Sequence, residues 1–148
     1  MSGDLVAVDA NALVYALYRD APQHAASRAF LERAGRGEIT LCLTSQVLAE
    51  FFSIVTSAKR VSNPRTSEEA IAAIEALLAI PGAMMLPVPP DVTSRWLDML
   101  RSHPVRGGAV FDLQLLATMT ANGIERVCTF NRRDFEGFPG LQILTPST

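Results

Sequence analysis

Positive charge is scarce in this chain: 13 Lys and Arg are outnumbered by 15 Asp and Glu, for a net charge of −2. That balance excludes the kind of nucleic-acid binder that relies on an overall positive field. It does not exclude one that works through a local site, because bound divalent cations reverse the contribution of the acids that hold them. Histidine occurs only at His24 and His103 and cysteine only at Cys42 and Cys128. His24 falls in a predicted helix and His103 beside Pro104 in a loop, so both are expected at the surface and no histidine, cysteine or serine triad suggests itself. Each cysteine sits in an apolar segment and is expected to act as a small buried hydrophobe and not to form a disulfide. Long apolar runs are missing too. Even residues 70–80 are interrupted by Glu75, well short of the roughly 20 apolar residues that span a bilayer. Met1-Ser2-Gly3-Asp4 lacks the basic flank and apolar core of a secretory signal, which points to the cytoplasm.

What the chain does have is a core. With 49% hydrophobic and 19% charged side chains over 148 residues, it has the composition of a single folded domain spanning 1–148. The apolar run at residues 5–8 suits a strand buried on both faces of a parallel sheet, with Asp9 at its end. Helices are predicted over 11–18 and 22–34, Pro22 suiting a first turn and Gly35 an ending. A strand follows at 39–43, and Thr44 or Ser45 can cap a helix over 46–58. Thr66 and Glu69 have capping-box spacing for a helix reaching residue 80, where Pro81-Gly82 ends it. A short strand is expected at 84–87 and a helix over about 89–101. After a loop at 103–108 comes a helix over 109–122, closed by Gly123. Strands at 126–130 and 142–145 complete the pattern. Strands alternating with helices or helix pairs predict an α/β fold, a mainly parallel and roughly five-stranded sheet with helices on both faces.

Several carboxylates stand where simple patterning would not put them. Glu50 shares a helical face with Val47 and Ile54 and precedes Phe51-Phe52. In the helix over 109–122, Asp112 shares a face with Leu115 and Leu116, and Asp112 and Gln114 are its only strongly polar interior side chains. A buried carboxylate costs several kcal/mol, by order of magnitude, unless it is paired, hydrogen-bonded, protonated or bound to metal. Salt bridges to the basic residues, or positions at the edge of the apolar stripe, would also account for both. Asp9 lies where ligands bind in open parallel sheets, beyond a strand's carboxyl end; it could equally be an N-cap, and Asn11 a turn residue. Asp134 stands just past a predicted strand in Thr129-Phe130-Asn131-Arg132-Arg133-Asp134-Phe135, where it could cap a turn or pair with Arg132 or Arg133. Trp96 and most other aromatics read as core.

These segments together resemble the PIN-domain family, and within it the VapC-like toxin ribonucleases. The resemblance runs along nearly the whole chain. It is carried by Val8-Asp9-Ala10-Asn11-Ala12-Leu13-Val14-Tyr15-Ala16, Leu48-Ala49-Glu50-Phe51, Phe111-Asp112-Leu113-Gln114-Leu115-Leu116-Ala117 and Thr129 through Phe135. Phe138-Pro139-Gly140-Leu141 is similar to the family's approach to its last strand. The resemblance implies a three-layer α/β/α sandwich and an acidic pocket of Asp9, Glu50, Asp112 and Asp134, with Asn11, Ser45, Thr129 and Asn131 as polar supports. Asn131 stands where some relatives carry an acid.

An oxygen-only pocket suits Mg2+ or Mn2+, one or two ions per site, with Asp9 and Asp112 as direct ligands and Glu50 and Asp134 completing the shell. Arg132 and Arg133 flank the pocket and would contact RNA phosphates. The activity implied is hydrolysis of RNA phosphodiester bonds by an endoribonuclease. The implied partners are the RNA substrate, a VapB-like antitoxin whose C-terminal segment covers the pocket, and a second copy of the chain in a homodimer. Apolar faces around 51–55 and 71–80 either serve such contacts or face the core. Competing readings are a PIN nuclease of RNA maturation with no toxin role, and a phosphoryl-handling receiver or phosphatase-like α/β protein. The last pair leaves Glu50 and Asp112 unexplained, and Asn11 stands where the phosphatase pattern wants a second Asp.

Overall fold

The computed structural model describes residues 4–147; the N-terminal reading at Met1 to Gly3 lies outside them. Its elements follow in the order β1 (Asp4–Val8), α1 (Ala10–Leu17), α2 (His24–Gly35), β2 (Ile39–Leu43), α3 (Ser45–Val55), α4 (Ser67–Leu78) and β3 (Met84–Met85). Then come α5 (Val92–Ser102), α6 (Ala109–Ala121), β4 (Arg126–Cys128), a short 3-10 helix at Arg132–Phe135, and β5 (Gln142–Leu144). The five strands form one sheet in the order β3-β2-β1-β4-β5, and every pairing is parallel. The strand runs buried on both faces explain this: all of β2 and the last three residues of β1 are buried, which only helices on both faces can achieve.

Topology assigns those helices. From β1 the chain steps outward to β2 and β3, then returns across the sheet to β4 and β5. Crossovers between parallel strands are right-handed, so the reversal of direction puts α1 to α4 on one face and α5 with α6 on the other. Phe51 and Leu13 of the first group and Leu113, Leu115 and Met119 of the second are almost fully buried against the sheet. Each such side chain contributes roughly 1.5–3 kcal/mol by leaving water. The point of reversal falls between β1 and β4, and the crevice beyond their carboxyl ends is where open α/β sheets bind ligands.

The predicted elements all form, with local corrections. Helix α3 starts on Thr44, whose hydroxyl accepts from Val47 N at 3.0 Å, and it ends at Val55, three residues earlier than expected. Pro22 lies in the turn before α2. Gly35 remains helical, and Gly37 at φ 77° makes the left-handed exit, its N–H bonding Ala34 O while Glu38 N–H reaches back to Arg33 O. Strands β3 and β4 are shorter than expected, and the 3-10 turn was not foreseen. The capping box is present: Thr66 Oγ1 accepts from Glu69 N at 3.1 Å and Glu69 Oε1 from Thr66 N at 3.0 Å. Cys42 and Cys128 are buried free thiols. His24 and His103 are half-buried instead of at the surface: His24 Nδ1 lies 2.9 Å from Tyr15 O and His103 stacks on Phe138. Trp96 packs against the core and donates to Val110 O at 3.1 Å. Among the described residues no helix is long and apolar enough to cross a membrane.

Candidate active site

Parallel register builds the centre of the site. Val8 of β1 pairs with Cys128 of β4, so the next residues on each strand, Asp9 and Thr129, meet at the switch point. Thr129 Oγ1 donates to Asp9 Oδ2 at 2.8 Å. Asn11 Nδ2 donates to both Asp9 Oδ2 and Thr129 Oγ1 at 3.2 Å, and its Oδ1 accepts from Phe130 N at 3.1 Å. Asp9 Oδ1 accepts from Ala10 N at 2.8 Å. The alternatives weighed for Asp9 therefore coincide: it is the N-cap of α1 and also lines the crevice.

The other acids come from three further elements. Glu50 projects from α3, Asp112 from the first turn of α6, and Asp134 from the 3-10 helix, which the fully buried Phe135 anchors to the core. Asn131 N donates to Thr129 Oγ1 at 3.0 Å, and Asn131 Nδ2 donates to Asp134 Oδ2. One cavity of about 1060 Å³ is lined by all four acids together with Asn11, Ser45 and Asn131. Thr129 lies beneath it, fully buried. Arg132 is turned toward β5, donating to Ile143 O at 3.1 Å and lying 3.6 Å from Glu136. Neither Arg132 nor Arg133 lines the cavity.

Its electrostatics are those of crowded like charges. Burial, then the neighbouring Asp9, Asp134 and Glu50, push the Asp112 carboxyl up to about 7. A helix N-terminus normally favours an anion; here desolvation and three other carboxylates outweigh it. Asp9 is raised by burial against the opposing hydrogen bonds from Thr129 and Ala10. Glu50 is raised by burial and by Asp9. Asp112 and Glu50 are only partly buried, so the acids on these apolar helices mark the rim of a cleft. No basic side chain forms a salt bridge with any of the four among the described residues.

An oxygen-only cluster of carboxylates, buried or partly buried at Asp9, Glu50 and Asp112 and with no basic partner among the described residues, fits a hard divalent cation, which would offset their burial and relieve their repulsion. Among the described residues no three acidic, histidine or cysteine side chains converge closely enough to enclose an ion unaided. A cation here would keep several waters, the usual manner of magnesium.

Gln46, Gln114 and Arg60 are among the lining residues to which the sequence assigned no role in the pocket. Gln46 donates from Nε2 to Phe111 O at 2.8 Å, tying α3 to α6, and lowers the Glu50 carboxyl against the rise that burial causes; its position four residues before Glu50 was the available signal. Gln114 had stood out as polar without being given a role. Arg60, the one arginine in the lining among the described residues, comes from a loop with no periodicity to reveal it.

Residues 6–141 match the PIN domain family, and the chain belongs to it. The observed strand order also differs from the 2-1-3-4-5 of receiver-type folds. Among curated relatives, ribonuclease VapC43 of Mycobacterium tuberculosis is 40% identical over 82 residues, 55% of this chain and 56% of that one, so the chain spans about half the length of that relative. Ribonuclease VapC24 of the same organism is 27% identical over 97% of this chain and 98% of its own. The crystal structure of VapBC2 from Rickettsia felis, bound to a DNA fragment from its promoter, superposes with a TM-score of 0.69 at 18% identity, covering 97% and 99% of the two chains.

Proposed function

We propose that this chain is a metal-dependent endoribonuclease, acting as one nuclease domain and serving as the toxin of a VapBC-type pair in the cytoplasm. The observation that carries the reading is the convergence of Asp9, Glu50, Asp112 and Asp134 on one cleft at the sheet's switch point. The names of the relatives, VapC ribonucleases, support the choice of RNA and of a toxin role. A VapB-like antitoxin and a second copy of the chain are the partners this reading carries.

In this reading Asp9 and Asp112 would hold Mg2+ or Mn2+ directly, and Glu50 and Asp134 would complete the acidic shell around it. The ions, one or two, supply an activated water and neutralise charge on the phosphodiester. The chain's own part is orientation. Thr129 and Asn11 fix the Asp9 carboxylate, Gln46 fixes Glu50 against α6, and Asn131 holds Asp134. Asp112, raised to about 7, would have to be deprotonated to hold a cation, which would couple binding to pH near neutrality.

Asp9→Ala or Asp112→Ala is expected to abolish Mg2+- or Mn2+-dependent RNA cleavage while circular dichroism reports a folded chain. Full activity in either folded variant would overturn the assignment. Growth arrest on expression, relieved by Asp9→Ala, would mark the toxin; arrest persisting in that variant would count against toxicity through cleavage. Sequencing RNA ends after induction would reveal the target.

A further inference from the structure

A second cavity of about 800 Å³ adjoins the acidic one. The two share Asn11, Ile54 and Arg60 in their walls, and the charge reverses across that boundary. On the acidic side Arg60 is, among the described residues, the lone cation beside four carboxylates. On the other side Arg19, Arg60 and Arg65 face a single acid, Asp20. In a chain of net charge −2 this is a local concentration of positive charge placed against the proposed catalytic cleft.

The groove is shaped before any ligand arrives. Arg65 donates to Leu17 O at 3.3 Å and Asn63 O at 3.1 Å, and its guanidinium lies 4.6 Å over the Tyr18 ring. The loop that carries Arg60 folds back on the end of α3 through Arg60 N to Ser57 O at 3.0 Å and Arg65 N to Val55 O at 2.7 Å. Tyr15, braced edge-on against Phe130 at 5.3 Å, adds a second aromatic ring to the wall. Neither Arg19 nor Arg60 forms a salt bridge with a carboxylate among the described residues. Unpaired guanidinium groups beside aromatic rings are the combination that holds a single-stranded nucleic acid, the former on phosphates and the latter under bases.

We infer that this groove binds the single-stranded RNA segment adjoining the scissile phosphate, with Arg19 and Arg60 contacting its backbone and Tyr15 and Tyr18 offering surfaces to its bases. The inference rests on the ribonuclease reading and supplies what that site lacks. An acidic cleft repels a polyanion, so attraction has to come from beside it. Asn11, bonded to Asp9 on one side and lining the groove on the other, marks the crossing point.

The test is binding of a fluorescein-labelled single-stranded RNA of about 12 nucleotides to the full chain across a salt series. Asp9→Ala is present throughout so that cleavage does not intervene. Arg19→Gln and Arg60→Gln are each expected to weaken binding roughly fourfold at about 0.15 M salt, because a single-strand phosphate contact releases about 0.7 counterion. Each should also lower the slope of log affinity against log salt by about 0.7. Arg36→Gln, an exposed arginine bonded to Glu38 before β2, should change neither.

Binding and salt slopes identical to the parent in both groove variants would overturn the inference. So would retained RNA binding with lost inhibition by the antitoxin, which would give the groove to a protein partner. Cleavage by the unmodified chain, assayed in parallel, separates the two readings. Cleavage without a binding defect removes the groove alone, and a binding defect without cleavage removes the nuclease while keeping an RNA groove.

Discussion

At the scale of single residues, the site depends on how few groups stabilise Asp9 in its charged form. Its carboxylate is nearly buried and is held against desolvation by Thr129 Oγ1, Asn11 Nδ2 and Ala10 N. Thr129→Val keeps the shape and deletes the donor, leaving a buried carboxylate short of one hydrogen bond. The expected cost is about 1.5–3 kcal/mol in urea unfolding, together with weaker metal-dependent cleavage; an unchanged midpoint would show that Thr129 merely fills space. Of the residues in this cluster, Glu50 and Asp112 were legible as acids out of pattern, and Asp9 and Asp134 as acids just past a strand. Gln46 was not singled out, because a glutamine on a helix carries no penalty that patterning detects. Arg60 was not either, because loop arginines are usually solvated and only the folded chain shows which one turns into a cleft.

At the scale of elements, the separation of α3 and α6 sets the distance between Glu50 and Asp112, and Gln46 bridges the two helices. Gln46→Ala is expected to cost about 1 kcal/mol of stability. It should raise the metal concentration for half-maximal cleavage roughly tenfold, as loss of a group that orients a ligand does. Thr66→Ala supplies the contrast: it removes the capping box of α4 at about 1 kcal/mol, and metal dependence should not move. Equal metal dependence in the two variants would reduce Gln46 to a stabilising contact. The helices themselves were legible from caps, Gly and Pro, with ends displaced by a few residues. The 3-10 turn that carries Asp134 escaped notice because four residues hold too little periodicity, and only the burial of Phe135 fixes it.

For the whole molecule, the buried and crowded carboxylates of Asp9, Glu50 and Asp112 make the cation-free chain sensitive to pH. Asp112 moves from 3.8 to about 7 on folding, so between those values the folded state binds more protons than the unfolded one. Stability therefore falls as pH rises through that window and levels off above it; the raised Asp9 and Glu50 act in the same direction. Thermal unfolding in chelator should show this decline. Added Mg2+ or Mn2+ should restore the midpoint, more at about pH 8 than at about pH 5, because protons compete with the cation. A metal-free midpoint that climbs across the window would contradict the crowding described here.

By itself the sequence determined the element order and the parallel sheet, through local periodicity and capping chemistry, and singled out the acids, through the cost of a carboxylate on an apolar stripe, the positions just past strands and the resemblance to PIN-domain motifs. Only the tertiary structure decided which residues meet. The return of the chain from β3 to β4 makes Asp9 and Thr129 neighbours 120 positions apart and brings α3 and α6 to one crevice. It also turns Arg60 toward that crevice and Arg132 away from it. Such juxtapositions depend on strand order and register, which are properties of the whole packed chain and of no single stretch of it.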